Sequence, residues 1–205
     1  NLQFGPYDGM VGSFFPSMVL SESALNHFAQ CPQHFLFQRL FHLEPLDEIT
    51  EEVERSEMGS YVHEILQIFL EDWVRLSPAA IAEGNFDDAR LLMLNAAKKV
   101  LQKQDKAIEY VMWDHKRDRL LAGLEEKESP VRPGILRKFL EFEVEKARRG
   151  FVPRKAEKQF GYETPVHLGA TKIRGKIDRI DEIKDREFGK TIGMMFFDYK
   201  TGRVP

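Results

Sequence analysis

Near the end of the chain an apolar run, Met194-Met195-Phe196-Phe197, delivers Asp198-Tyr199-Lys200, an acid and a lysine two residues apart. Side chains of a strand alternate between faces, so Asp198 and Lys200 point one way and Tyr199 the other. Upstream, Gly175-Lys176-Ile177-Asp178-Arg179-Ile180-Asp181 carries two more carboxylates. If these segments pair as a hairpin through a turn near Asp185 to Gly189, Asp178 comes beside Asp198. Two carboxylates a few ångströms apart repel, and burying them is costly unless a cation stands between them. Mg²⁺ prefers oxygen ligands, takes one or two protein carboxylates and keeps several waters. Such an ion polarises a phosphoryl oxygen and acidifies a bound water. Lys200 would then orient or help deprotonate that water, or stabilise charge developing on phosphorus. The plain alternative is a surface Asp–Lys pair across two strands.

His63, in Gly59-Ser60-Tyr61-Val62-His63-Glu64, adds a second kind of donor. It lies near the start of an amphipathic segment, beside Val62, Leu66 and Phe69. A core histidine is the ordinary reading of such a position, but neutral imidazole is also a good ligand for a Mn²⁺- or Mg²⁺-type site. Gly59, one turn earlier, would let that helix approach a sheet closely.

The elements that must carry these groups follow from periodicity and punctuation. Ser21 to Leu43 reads as two helices, with Ser21 as cap, a break near Cys31-Pro32, and Pro32 in the tolerated first turn of the second. Glu44 to Glu57 reads as an acidic loop. Met58 to Leu76 has Val62, Ile65, Leu66 and Phe69 at helical spacing. Asp87 to Leu124 is helical in two or more pieces, and Pro130 to Arg149 is a helix ended by Gly150. After Phe151 the pattern changes. Lys155 to Glu163, Thr171 to Ile183 and Thr191 to Lys200 read as strands, with a hairpin connection across residues 184–189. Helices followed by a strand cluster predict an α+β domain with a small mixed β-sheet flanked by helices.

Composition bounds the function. With 205 residues, 42% hydrophobic and 31% charged, the chain holds enough apolar material for a core and has no disordered bias. No apolar run reaches the roughly 18 residues of a membrane span, and the start lacks a basic signal-peptide region. The single Cys31 fits a reducing compartment. The expected setting is soluble, intracellular and cytoplasmic, with no membrane partner. The abrupt ends suggest a domain of a longer protein, residues 1–20 being a linker. The net charge of −3 conceals a division: residues 1–131 hold 12 basic and 22 acidic side chains, residues 132–205 hold 18 and 11. The basic part includes Arg137, Lys138, Lys146, Arg148, Arg149, Arg154, Lys155 and Lys158. It could meet a phosphate backbone, or be a solvated helix face.

Taken in order, GSYVHEI at His63, EKQF at Glu157, GKIDRID at Asp178 and FFDYKTG at Asp198 resemble the RecB/AddB-like branch of the PD-(D/E)XK nucleases. The lead-in SESALNHFAQCPQHFLFQRLFHLEP is similar too, so the likeness runs over about residues 7–205. Residues 77–129 match nothing in it and are expected to be a helical insertion. The resemblance implies a restriction-endonuclease-like fold and a site assembled from dispersed positions. His63 matches a metal-binding histidine, Asp178 and Asp198 the two metal-ligand acids, and Lys200 the catalytic lysine. The carbonyl of Tyr199 is the expected further ligand, and Glu157 matches an acid near the site in many members. Arg174 and Lys176 would contact phosphates or balance the acids. Asp181, on the other strand face, reads as a structural salt bridge. Thr201-Gly202 resembles the turn after the catalytic strand. Cys31 resembles the first of four cysteines that hold a [4Fe–4S] cluster, which only a longer chain could complete; otherwise it is a buried thiol at a helix break.

These observations together predict a Mg²⁺- or Mn²⁺-dependent deoxyribonuclease, an exonuclease of DNA repair or recombination or the nuclease part of a helicase–nuclease. Arg148 and Arg149 would guide the DNA backbone without base readout, with DNA ends or single strands as substrates by resemblance. The alternatives are a non-catalytic DNA-binding or scaffolding module of the same fold, and a helical interaction domain with an incidental Asp-x-Lys.

Overall fold

The computed structural model describes residues 18–43, 51–77, 79–104, 117–125 and 132–199, with the backbone alone at 51–57 and 103–104. Lys200 and residues 201–205 lie outside the described residues. The chain divides into two compact units, Asn1–Glu48 with Gln159–Lys176, and Ile49–Lys158 with Ile177–Pro205.

In the first unit, β1 (Val19–Leu20) leads into α1 (Glu22–Gln30). The Ser21 hydroxyl caps α1 by accepting from the Ala24 amide at 3.2 Å. Cys31 ends α1 and starts α2 (Pro32–Phe35), which runs on as a π-helical turn over Leu36–Leu40. The Cys31 thiol is exposed, not buried as expected, because its Sγ faces the free first turn of α2 and accepts from the His34 amide at 3.5 Å. Strands β3 (Val166–Leu168) and β4 (Thr171–Ile173) are antiparallel, and β1 adds parallel to β4. Leu20, Ala24 and Phe35 form the small core of this unit.

The second unit is built on α3 (Glu51–Leu76). Residues 51–57, read from their acidity as loop, are its first turns. Val62, Ile65, Leu66, Phe69, Leu70 and Trp73 recur every three or four residues and are all buried. Helix α4 (Phe86–Gln104) packs on that stripe with Ala89, Met93, Ala96, Ala97 and Val100, the alanines allowing a close approach. A short helix α5 (residues 117–121) and α6 (Ile135–Arg148) complete the helical layer. Each fully buried large apolar side chain contributes about 1.5–3 kcal/mol, so the shared stripe dominates the stability of this unit. Helix α6 starts at Ile135, later than the predicted Pro130: Gly134 is its N-cap, with its amide bonded to the Ala122 carbonyl at 2.8 Å. Gly150 ends it at φ +87°, where an added Cβ would stand 2.3 Å from the Lys184 carbonyl oxygen.

The sheet of this unit has the order β2-β5-β6, from β2 (Phe151–Phe160), β5 (Gly175–Lys184) and β6 (Thr191–Phe197). β5 and β6 form the expected antiparallel hairpin, with Arg179 opposite Phe197 and Ile180 opposite Phe196. The predicted strand from Thr171 to Ile183 is two strands in two sheets, β4 and β5, separated at Arg174, whose amide bonds the Leu20 carbonyl. The architecture is α+β, small sheets flanked by helices, as the restriction-endonuclease-like fold requires.

Candidate metal centre

Strand alternation places Arg179 and Asp181 on the face of β5 that is buried and Asp178 on the other. The β5–β6 register runs to Arg179 opposite Phe197, and Tyr199, two residues beyond Phe197, stands next to Asp178. The Tyr199 amide donates to Asp178 Oδ2 at 2.8 Å. From α3, His63 Nε2 lies 2.7 Å from the Tyr199 carbonyl oxygen, and Nδ1 lies 3.7 Å from Asp178 Oδ2. The imidazole meets the Tyr199 ring edge-on, with centroids 5.8 Å apart.

Glu157 reaches the same place from β2. Its φ of +52° is left-handed, which costs a non-glycine residue about 1–2 kcal/mol. One ligand atom from each of His63, Glu157 and Asp178 lies within 4.8 Å of the others, and all three residues are half-buried. One imidazole and two carboxylates form a donor set of net negative charge suited to a hard or borderline divalent ion. Octahedral ligands about 2.1 Å from one ion stand about 3.0 Å apart when adjacent and about 4.2 Å when opposite, so small side-chain shifts would close the set around an ion. The residues fit a Mg²⁺- or Mn²⁺-type cation, which would be held by His63, Glu157 and Asp178.

Asp198 is exposed at the end of β6 and is not in this three-residue set. Asp181 is fully buried in an ion cluster, as its position on the opposite face implied. Arg179 bonds Asp181 through Nε–Oδ1 at 2.5 Å and Nη2–Oδ2 at 2.8 Å. It also forks onto Glu143 of α6, with Nη1–Oε1 at 2.7 Å and Nη2–Oε2 at 2.6 Å. Lys146 adds a bond to Asp181 Oδ2 at 2.7 Å and stands 3.8 Å above the Phe197 ring. Burial, followed by repulsion from Arg179, lowers the Lys146 pKa against the pull of Glu143 and Asp181. Burial also opposes the Arg179 charge, but the hydrogen bonds and charge of Glu143 outweigh it and hold the guanidinium above its ordinary range. Burial pushes the Tyr199 phenol upward, so it is a neutral hydroxyl throughout the physiological range.

The basic segment looks different in three dimensions. Lys146 and Arg137 are buried, Arg137 bonding Glu141 and the Gly123 carbonyl. Arg148 is exposed but paired with Glu145 and Glu83, and Arg154 pairs with Glu182 at 2.9 Å. Arg149 is exposed. Both Arg148 and Arg149 sit at the Lys184 end of β5, six residues or about 20 Å from Asp178 along the strand. Arg174 and Lys176 belong to the first unit, where Arg174 lies 5.2 Å above the Tyr162 ring. Sequence reasoning gave Glu143 and Arg179 no role. Their signal was present: Glu143 lies on the apolar stripe of α6 with Leu136 and Leu140, and Arg179 lies on the buried face of β5.

His63 of α3, Glu157 of β2 and Asp178 of β5 thus bring one imidazole and two carboxylates together at one place. The family model of the PD-(D/E)XK nuclease superfamily matches residues 19–205, and the chain belongs to that superfamily. A search of curated proteins gave no match.

Proposed function

We propose that this chain is a Mg²⁺- or Mn²⁺-dependent deoxyribonuclease of the RecB/AddB-like branch, hydrolysing phosphodiester bonds at DNA ends or in single strands. The observation that carries this reading is the gathering of His63, Glu157 and Asp178 within 4.8 Å of one another. His63, Glu157 and Asp178 bind the ion, joined by Asp198 and the Tyr199 carbonyl. When bound, the ion supplies Lewis acidity toward a phosphoryl oxygen and acidifies water. Lys200, two residues beyond Asp198, orients the attacking water and stabilises charge on the phosphoryl oxygens. Arg149 guides the DNA backbone, and Arg174 and Lys176 contact phosphates. The cellular setting that suits this chemistry is cytoplasmic DNA repair or recombination, with a helicase domain or subunit as partner. A cluster completed by Cys31 would need cysteines from a longer chain.

The test is cleavage of end-labelled single- and double-stranded DNA with Mg²⁺, Mn²⁺ or EDTA, alongside Lys200→Ala. Metal-dependent cutting that Lys200→Ala abolishes, with thermal stability unchanged, is the expected result. Cutting that persists in the variant overturns the role of Lys200. Absence of both cutting and Mn²⁺ binding in the unaltered chain favours a scaffolding module.

A further inference from the structure

Arg179 is 1% exposed, and its five N–H donors meet five acceptors. Four are the carboxylate oxygens of Glu143 and Asp181, and the fifth is the Tyr199 hydroxyl, 3.4 Å from Nη1. The guanidinium is therefore oriented by two bidentate forks, one from α6 and one from its own strand. Its remaining hydrogen points at the tyrosine whose main chain faces the cluster on the opposite side.

Tyr199 is held at three separate atoms. The amide donates to Asp178 Oδ2 at 2.8 Å, the carbonyl stands 2.7 Å from His63 Nε2, and the hydroxyl faces Arg179. Its ring is wedged between the His63 and Phe139 rings, at centroid distances of 5.8 and 6.0 Å. The residue lies just beyond the end of β6, so side chains, those of Asp178 and His63, hold its backbone. Buried ion networks give little net stability relative to well-packed apolar side chains, so stability alone does not account for four ionised groups here. A tether at a strand end needs a geometrically exacting anchor, which a five-coordinate guanidinium supplies.

We propose that Arg179, locked by Glu143 and Asp181, is a positioning residue that sets the Tyr199 carbonyl into the metal centre. The proposal rests on the metal-nuclease reading above and extends it to a layer on the opposite face of β5. The network does not touch the ion or the substrate. It acts by restricting where the Tyr199 main chain can stand.

The experiment compares Tyr199→Phe, which removes only the hydroxyl, with Arg179→Lys, which cannot reproduce the forks. Mn²⁺ affinity is measured by calorimetry on the full chain, and the His63 ring nitrogens are followed by NMR in EDTA at one fixed pH. Tyr199→Phe is expected to stay folded, weaken Mn²⁺ about three- to tenfold, the worth of one hydrogen bond, and shift the His63 Nε2 signal. In cleavage, kcat falls while KM for DNA is held. A purely structural role would lower the melting temperature and leave the affinity of the folded protein intact. Should Arg179→Lys fail to fold, Tyr199→Phe still decides. Wild-type Mn²⁺ affinity with an unshifted His63 signal in Tyr199→Phe overturns this proposal alone. An unaltered chain that binds no Mn²⁺ overturns the metal-centre reading and this proposal with it.

Discussion

Glu157 and Asp178 bring two carboxylates to within 4.8 Å, and their coupling is measurable without any assumption about DNA. At that separation two unit charges repel by about 0.9 kcal/mol at the dielectric constant of water and about 3.5 kcal/mol at an effective value of 20. Both side chains are half-buried, so a coupling of roughly 1–3 kcal/mol is expected in EDTA. A double-mutant cycle of Glu157→Gln, Asp178→Asn and the pair isolates this term from every other contact of either residue. The amide substitutions retain an oxygen, so the Tyr199 amide at 2.8 Å from Asp178 Oδ2 keeps an acceptor. The assay is urea unfolding of the four proteins in EDTA, repeated in saturating Mn²⁺. In EDTA each charge should make the other more costly; in Mn²⁺ the sign should reverse, because one ion binds to both. A coupling within about 0.5 kcal/mol of zero in EDTA would refute the geometry. A coupling of the expected size that Mn²⁺ leaves unchanged would refute the ion site while keeping the geometry.

At φ +52° the usual penalty for glycine is inverted. Glu157→Gly should be more stable than Glu157→Ala by about 0.5–1 kcal/mol, the left-handed cost of a Cβ less the extra flexibility of glycine; thermal unfolding of both in EDTA checks this, and a more stable alanine variant would contradict it. On DNA, Arg149→Glu should reduce the slope of log affinity against log salt by about 0.9, one phosphate contact. Arg148→Glu should change it less, because Glu145 and Glu83 already offset that charge. Equal effects of the two variants in a salt titration would place the DNA differently.

Much of this protein is local, and local features are legible in a linear string. The Ser21 cap, the break at Cys31-Pro32, the apolar stripe from Val62 to Trp73 and the stop at Gly150 each depend on residues within a few positions of one another. The hairpin was legible as well: turn residues at 185–189 join β5 to β6 in a register that sets Arg179 opposite Phe197. Other features required the chain to close on itself. Acidity at residues 51–57 reads as loop, yet the helix that buries Val62 extends through them. Thr171 to Ile183 reads as one strand, and pairing divides it between two sheets, β4 with β1 and β3 and β5 with β2 and β6.

The types of the candidate site residues were legible in the sequence itself: His63, Asp178 and the Asp198–Lys200 pair stand out by chemistry and spacing, and Glu157 through the resemblance of EKQF. Tertiary structure decided which of them converge. Glu157 joins His63 and Asp178 with its own backbone left-handed, a conformation that no period-two reading contains. Tertiary structure also decided which charges are free. Lys146 counts as one more cation in a basic segment until α6 presses it against Asp181 and Phe197. Burial and pairing are properties of distances between residues far apart in sequence, and those distances exist only once the helices and the sheet have packed.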